Sequence, residues 1–414
     1  MQHTARWLFT LLLCGSVFMP IDSRTETTSS SETIPPVTEN PLSVLPGLES
    51  AVDFWKRIFA EYSLSQMVFF DPLDMSKIYE VVDVGVENRP KSYVDGERAR
   101  IAAVHGVDLE RVRAQRGIKE RTAEGLKRSG RLMAQMQQIF REKGLPVELT
   151  YLPLVESSFD STARSHAGAL GMWQFMRRTG KQFLRVDRQI DERRDPLEST
   201  RAAASLLDQN YQTLGNWPLA VTAYNYGAGG LSRAVAELAT DDLVELIRQY
   251  KHPYWGFAAQ NFYAEFLAAV EIAKNREQYF PELEIQPAVT IREIEVKKSS
   301  SIADLAKSTG LTRAELLGWN PALGSGVKTV PAGYRVKLPA DRSMQPVIEV
   351  AQREAAERQS PQTQKVVRHR VKPGETVVHI ARRYGASAEK ILAVNGIRKA
   401  HLLRVGMTLL IPKL

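Results

Sequence analysis

A mainly α-helical chain followed by two small α+β units is the fold class that the sequence predicts. Three observations carry it. Apolar residues recur at helical spacing through much of the chain before Pro281, as in Phe54, Trp55, Ile58, Phe59 and Tyr62. Helix punctuation frames the later runs, with Asp195-Pro196 before and Gly215 after one, and Pro218 before and Gly227 after the next. Past Pro281 the composition shifts, and two similar segments of about 45 residues follow, each ordered strand–helix–helix–strand (βααβ).

The chain has 414 residues, 43% hydrophobic and 25% charged, enough for two or more globular units. Its net charge of +8 suits a polyanionic partner, yet no nucleic-acid motif is present, so nucleic acid is not an expected partner. A single cysteine, Cys14, leaves no internal disulfide. No His, Cys or carboxylate spacing suggests a metal, and no cofactor is expected.

Residues 1–24 read as an export signal, with Arg6 ahead of an apolar run from Trp7 to Phe18 that is too short to span a bilayer. Leu11-Leu12-Leu13-Cys14 half-resembles a lipobox, although Leu13 stands where a small residue is wanted. Membrane association through a lipidated Cys14 and ordinary cleavage after Ser16 both stand. Residues 25–48, rich in Ser, Thr, Pro and Glu, form a tether without a core.

Residues 49–143 are expected to be a helical support. Helices are predicted over Ala51–Ser65, Gly96–Gln115 and Thr122–Lys143, while Tyr79–Val84 fits either a strand or a frayed helix. Gly144 and Pro146 then stop one helix and restart the chain into another.

Residues 144–280 hold the candidate chemistry. Glu156 lies in the apolar run Leu152-Pro153-Leu154-Val155-Glu156, so folding should take its carboxyl out of water. Desolvation disfavours the charged form and suits a general acid near neutral pH. A capping or helix-dipole contact is the plainer alternative for an isolated glutamate. Gln174, an amide in an apolar run, needs either a buried partner or a ligand. Asp160, four residues after Glu156, would share its helix face and is read as structural.

Three ordered blocks go further than any one residue. Leu-Pro-Leu-Val-Glu156-Ser157-Ser-Phe, Gly-Ala-Leu-Gly171-Met172-Trp-Gln174-Phe-Met and Ala-Tyr224-Asn225-Tyr-Gly-Ala-Gly resemble the lysozyme-like lytic transglycosylases of bacterial cell walls, the membrane-bound D type in particular. The resemblance implies a lysozyme-like catalytic domain acting on peptidoglycan. In it Glu156 alone protonates the glycosidic oxygen and then takes the proton of the sugar's own C6 hydroxyl, leaving a 1,6-anhydromuramyl end. It also implies substrate contacts at Ser157, Gly171, Met172, Gln174, Tyr224, Asn225 and Tyr263, the last from Asn261-Phe262-Tyr263, where the family's Asn-Tyr is interrupted. Arg177 stands where the family usually has Pro, a change expected to affect the next helix start. Location in the periplasm, or on the periplasmic face of a Gram-negative outer membrane, follows from the same resemblance. A hydrolysing lysozyme of the goose type and a catalytically silent wall-binding protein are the competing readings.

The two βααβ segments span 288–340 and 367–414, joined by a Gln/Glu/Arg/Ser-rich linker, 341–366. The second, with Gly374-Glu375-Thr376 before its first helix and Asn395 after its second, resembles the LysM module, which implies glycan binding through those residues. The first carries Lys298-Ser299-Ser300-Ser301 where that turn belongs and is expected to be degenerate.

Overall fold

The computed structural model describes residues 41–340, 366–397, 400 and 403–412. The export segment with Cys14, most of the tether and nearly all of the linker lie outside the described residues. Two compact units emerge: residues up to 340 apart from Ser308–Gly310, and those from 366 onward.

The first unit is mainly helical and is built around one long alanine-rich helix. Its helices are α1 (Glu49–Ala60), α2 (Lys91–His105), α3 (Lys119–Ser129), α4 (Met133–Glu142), α5 (Leu152–Ser157), α6 (Arg177–Phe183), α7 (Pro196–Leu214), α8 (Trp217–Tyr226), α9 (Ala228–Leu238), α10 (Leu243–Gln249), α11 (Phe257–Lys274) and α12 (Arg276–Tyr279). The central helix, α11, packs against α1, α5 and α8. Its buried Ala264, Ala268, Ala269 and Ala273 let those neighbours approach closely. Trp55 of α1 donates its indole N–H to the Asn261 side chain at 3.3 Å, fixing the register of the α1–α11 pair.

The support region is not wholly helical. Gln66–Asp71 (β1) pairs antiparallel with Asp74–Asp83 (β2) and with Arg113–Arg116 (β3). Strand side chains alternate between faces. Val68 and Phe70 therefore join the main core, while Met67 and Phe69 join a second core with Val84, Ile101 and Val112. The helix expected over Gly96–Gln115 starts earlier, at Lys91, and ends at Gly106, whose φ of 61° breaks it. Gln115 belongs to β3.

The single helix expected over Thr122–Lys143 is two, α3 and α4. A passing segment outside any strand lies against the gap. Gln286 N–H bonds Lys127 O at 3.0 Å and Val289 N–H bonds Arg131 O at 2.9 Å. Gly130 makes room for it, since a Cβ there would lie 2.1 Å from Ile285 and 2.3 Å from the Gln286 oxygen.

The later helices follow their punctuation. Asp195 caps α7 through the Leu197 and Glu198 N–H groups, Pro196 fills its first position, and Gly215 ends it with φ 82°. Arg177 opens α6 and reaches the Val186 carbonyl at 3.4 Å.

Still within the first unit, β4 (Ile291–Glu295) pairs antiparallel with β7 (Arg335–Pro339). Between them lie β5 (Ser300–Ser301), α13 (Ile302–Thr309), α14 (Arg313–Trp319) and β6 (Thr329–Val330). The second unit repeats the order with β8 (Val366–Arg370), α15 (Val377–Tyr384), α16 (Ala388–Val394) and β9 (Thr408–Pro412). Both copies share one device. Asn320 exchanges hydrogen bonds with the Lys337 backbone, and Asn395 does the same with Leu410, each tying the second helix to the last strand. Among the described residues no helix is long and apolar enough to cross a membrane.

Candidate active site

Glu156 ends a short buried helix. A 3₁₀ turn, Val147–Tyr151, feeds α5, and Pro153 sits in its first turn. The helix stops hard, because Ser158 (φ 51°) and Phe159 (φ 57°) both adopt left-handed backbone that is costly for side-chain-bearing residues. Two neighbours hold this turn. The Arg128 guanidinium donates to Ser158 O at 2.6 and 3.1 Å, and Gly125 leaves space that a Cβ, 2.8 Å from Leu154 and 3.0 Å from Ser158, would fill. The turn also takes Asp160 off the helix, so it does not share a face with Glu156 as the spacing suggested. Asp160 accepts instead from Thr162 N–H and Oγ at 2.8 and 2.7 Å, a local turn bond.

The Glu156 side chain is 8% exposed, and among the described residues its carboxyl has no hydrogen-bond partner. Burial pushes its pKa from 4.5 to about 8, with a second, smaller push from the charge of Glu265. A carboxyl held neutral and unengaged at pH 7 is a proton donor in waiting.

Facing it, the loop from Gly168 to Phe175 is held by backbone contacts. Ser157 donates to Met172 O at 2.7 Å, and Tyr224 donates to Trp173 O at 2.8 Å. Trp173 is fully buried, stacked on Phe140 and bonded to Thr200 at 2.9 Å. Gly171 has φ 82°, and a Cβ there would come within 1.8 Å of the Arg193 carbonyl. Gln174 (φ 49°) donates its amide to Gly171 O at 2.7 Å and Ala163 O at 3.3 Å. Ser157 and Tyr224, assigned above to substrate, thus have their hydroxyl protons engaged on the loop backbone and shape it. Burial, then the Glu156 charge, raises the Tyr224 pKa, which puts this ring beside the acid. Asn225, in the last turn of α8, is half-buried.

Tyr263 lies elsewhere. It is 1% exposed and donates to Ser43 O at 3.0 Å, on a different side of α11 from the residue whose charge acts on Glu156. That residue is Glu265, two positions on and so about 200° around the helix. Burial raises its pKa to about 8, and the Arg113 guanidinium, which lies 3.9 Å over the Phe257 ring, only partly opposes this. Sequence reasoning missed Glu265, yet the signal was present: a lone charge in the apolar run Phe262–Val270 is the same pattern that singled out Glu156.

In the second unit the predicted glycan-binding residues build a turn. Glu375 accepts from Lys372 N–H at 3.0 Å and from His369 at 2.7 Å, and it pairs with Arg383. Those contacts, the backbone bond first, hold its pKa down at about 2. Thr376 caps α15 through His379 N–H, and Gly374 supplies φ 80°. Glu375 and Asn395 are therefore engaged within the module.

Residues 135–245, which contain Glu156, the facing loop and α8, match the Transglycosylase SLT domain. Residues 369–412 match the LysM domain. The membrane-bound lytic murein transglycosylase D of Escherichia coli K12 is 27% identical over 276 residues, covering 63% of this chain and 59% of that protein. The chain thus spans about 59% of the length of that relative. Among solved structures, the 70 kDa soluble lytic transglycosylase of Escherichia coli gives TM-score 0.28 at 22% identity, over 35% of this chain and 25% of its own. The lytic transglycosylase Slt of Pseudomonas aeruginosa gives TM-score 0.26 at 22% identity, over 37% and 25%. The SLT match ends before α11, so Glu265 is a contribution from outside the matched domain to the surroundings of its acid.

Proposed function

We propose that this chain is a peptidoglycan lytic transglycosylase in which Glu156 is both acid and base. Its buried, unengaged carboxyl with a pKa of about 8, set inside an SLT domain, is the observation that carries the reading. Glu156 gives its proton to the bridging oxygen of a MurNAc-β-1,4-GlcNAc bond, and that bond breaks with the GlcNAc hydroxyl leaving. The MurNAc C1, now oxocarbenium-like, is captured by its own C6 oxygen, and the C6 hydroxyl proton returns to Glu156. No water is consumed, and a 1,6-anhydromuramyl end results.

Glu265 bears on the competing hydrolase. A lysozyme of inverting type needs a second carboxylate to activate water. Among the described residues Glu265 is the carboxylate whose charge acts on Glu156, and its pKa of about 8 keeps it largely protonated at pH 7 and therefore a weak base there. The attacking oxygen is then best supplied by the substrate itself, since an oriented intramolecular nucleophile has an effective molarity on the order of 10⁵ M or more. The LysM domain would hold the enzyme on the glycan, and the relative's membrane association suggests action at the periplasmic face of an outer membrane. Mass spectrometry of purified peptidoglycan after incubation with the protein tests the reading. Anhydromuramyl ends are expected, whereas new reducing ends as the main product would make the protein a lysozyme.

A further inference from the structure

The βααβ segment of the first unit touches the SLT domain through a continuous set of bonds. Asp191 N–H donates to Ala322 O at 2.9 Å, Gly324 N–H reaches Gln189 O at 3.4 Å, and Ile190 forms a β-bridge with Leu323. Ile190, Ala322 and Leu323 are all buried, at 1, 2 and 4% exposure. Beside them Lys337 is a buried cation, 2% exposed, whose ammonium lies 3.0 Å from Asp195 and 2.7 Å from Glu198. Arg335 also pairs with Glu198, and Arg201 reaches back to Glu293 at 2.6 Å. These acidic partners sit at the first turn of α7 and on β4. A charge so deeply buried persists only when its partners are fixed in place.

The turn that this segment grips, residues 187–195, is also the support of the catalytic loop. Arg193, 5% exposed, pairs with Asp191 at 2.7 Å and donates to Gly168 O at 3.2 Å and Phe175 O at 3.1 Å, the two ends of the loop facing Glu156. Its own carbonyl packs against Gly171 closely enough to exclude any side chain there. One further bond, Ser157 to Met172 O, joins the loop to the residue next to the acid.

We infer that the βααβ segment of residues 291–339 is a fixed brace for the catalytic loop, acting through the 187–195 turn, and not a glycan-holding arm. Its connection between α14 and β6 is occupied by the SLT domain, and Lys337 and Arg193 are positioning residues for the loop. The part of the test that reads turnover rests on the function proposed above; the part that reads loop protection does not.

Two full-length variants separate the alternatives. Lys337→Met keeps the apolar stem and removes the charge, and Glu293→Gln weakens the half-exposed edge of the same network should the first fail to fold. Hydrogen exchange of the 168–175 amides is followed in both, with kcat, KM and retention on insoluble peptidoglycan. A brace predicts faster exchange at 168–175 and a kcat lower by about 10- to 100-fold, with KM and retention unchanged. Unaltered exchange at 168–175 in a folded variant overturns the inference, as does a loss of retention or a raised KM with kcat intact, the signature of a binding arm. A wild-type protein without activity would sink the catalytic reading alone, because the exchange result would still decide whether the segment braces the loop.

Discussion

Replacing Glu156 by glutamine should abolish cleavage and stabilise the protein, and the stabilisation should grow with pH. The folded carboxyl has a pKa of about 8 against 4.5 for the exposed group. Between those values the folded state keeps its proton while the unfolded chain has lost it. The folded state therefore binds more protons, and stability falls as pH rises through the window, by about 1.4 kcal/mol per pH unit. The full difference corresponds to an upper bound of about 5 kcal/mol, nearly all of it present by pH 8 and little of it at pH 5. Glutamine has the same shape and no such penalty. Denaturant unfolding of both proteins at pH 5, 6.5 and 8 should show curves that diverge by several kcal/mol, the wild type losing ground. Turnover of the variant should drop by about 10²- to 10⁴-fold. A stability difference that stays flat from pH 5 to pH 8 would refute the buried neutral acid, and turnover within about threefold of wild type would refute its role.

Three further outcomes are expected. Glu265→Gln removes the like charge that helps to raise the Glu156 pKa, so the alkaline limb of the pH–rate profile should move to lower pH while anhydromuramyl products persist; reducing ends from wild type that vanish in this variant would make Glu265 a base for water. Asp160→Asn should leave activity within about twofold, since its carboxylate serves a surface turn whose loss is worth about 1 kcal/mol at most. Gly171→Ala should cost activity and several kcal/mol of stability, because the new methyl would need to sit 1.8 Å from the Arg193 carbonyl at a φ of 82°; a crystal structure with an unmoved loop and normal turnover would count against this.

The helices with explicit stops were legible in the sequence. Asp195-Pro196 and Gly215 delimit α7 in the structure as they do in the letters, because capping and left-handed glycine are local chemistry. Strands β1 and β3 were not, although Tyr79–Val84, which fitted a strand or a frayed helix, lies largely in β2, and the reason is also physical. β1 buries Val68 and Phe70 on one side and Met67 and Phe69 on the other, so no polar alternation marks its period. The burial of Glu156 was legible because apolar neighbours in sequence announce desolvation. Which way the Ser157 and Tyr224 hydroxyls point was not legible, because it depends on carbonyls at Met172 and Trp173 that come near only on folding. The docking of the 291–339 segment is of the same kind, since Lys337 meets Asp195 and Glu198 across more than a hundred intervening residues.

Burial raises the pKa of both glutamates, and Glu265 adds to the rise at Glu156. Arg113 is the cation nearest to Glu265 in effect, yet its guanidinium stacks on Phe257, and no salt bridge joins it to Glu265. Had it paired directly, Glu265 would be a fixed anion and would hold the Glu156 proton by field alone. Burial is the larger cause of both raised values. On the mechanism proposed above, a neutral Glu265 would not compete with Glu156 for the transferred proton. On that same proposal, a Glu156 anion would face a neutral Glu265 and not a second negative charge. A fixed anion at position 265 would favour keeping the proton on Glu156; a neutral one favours giving it.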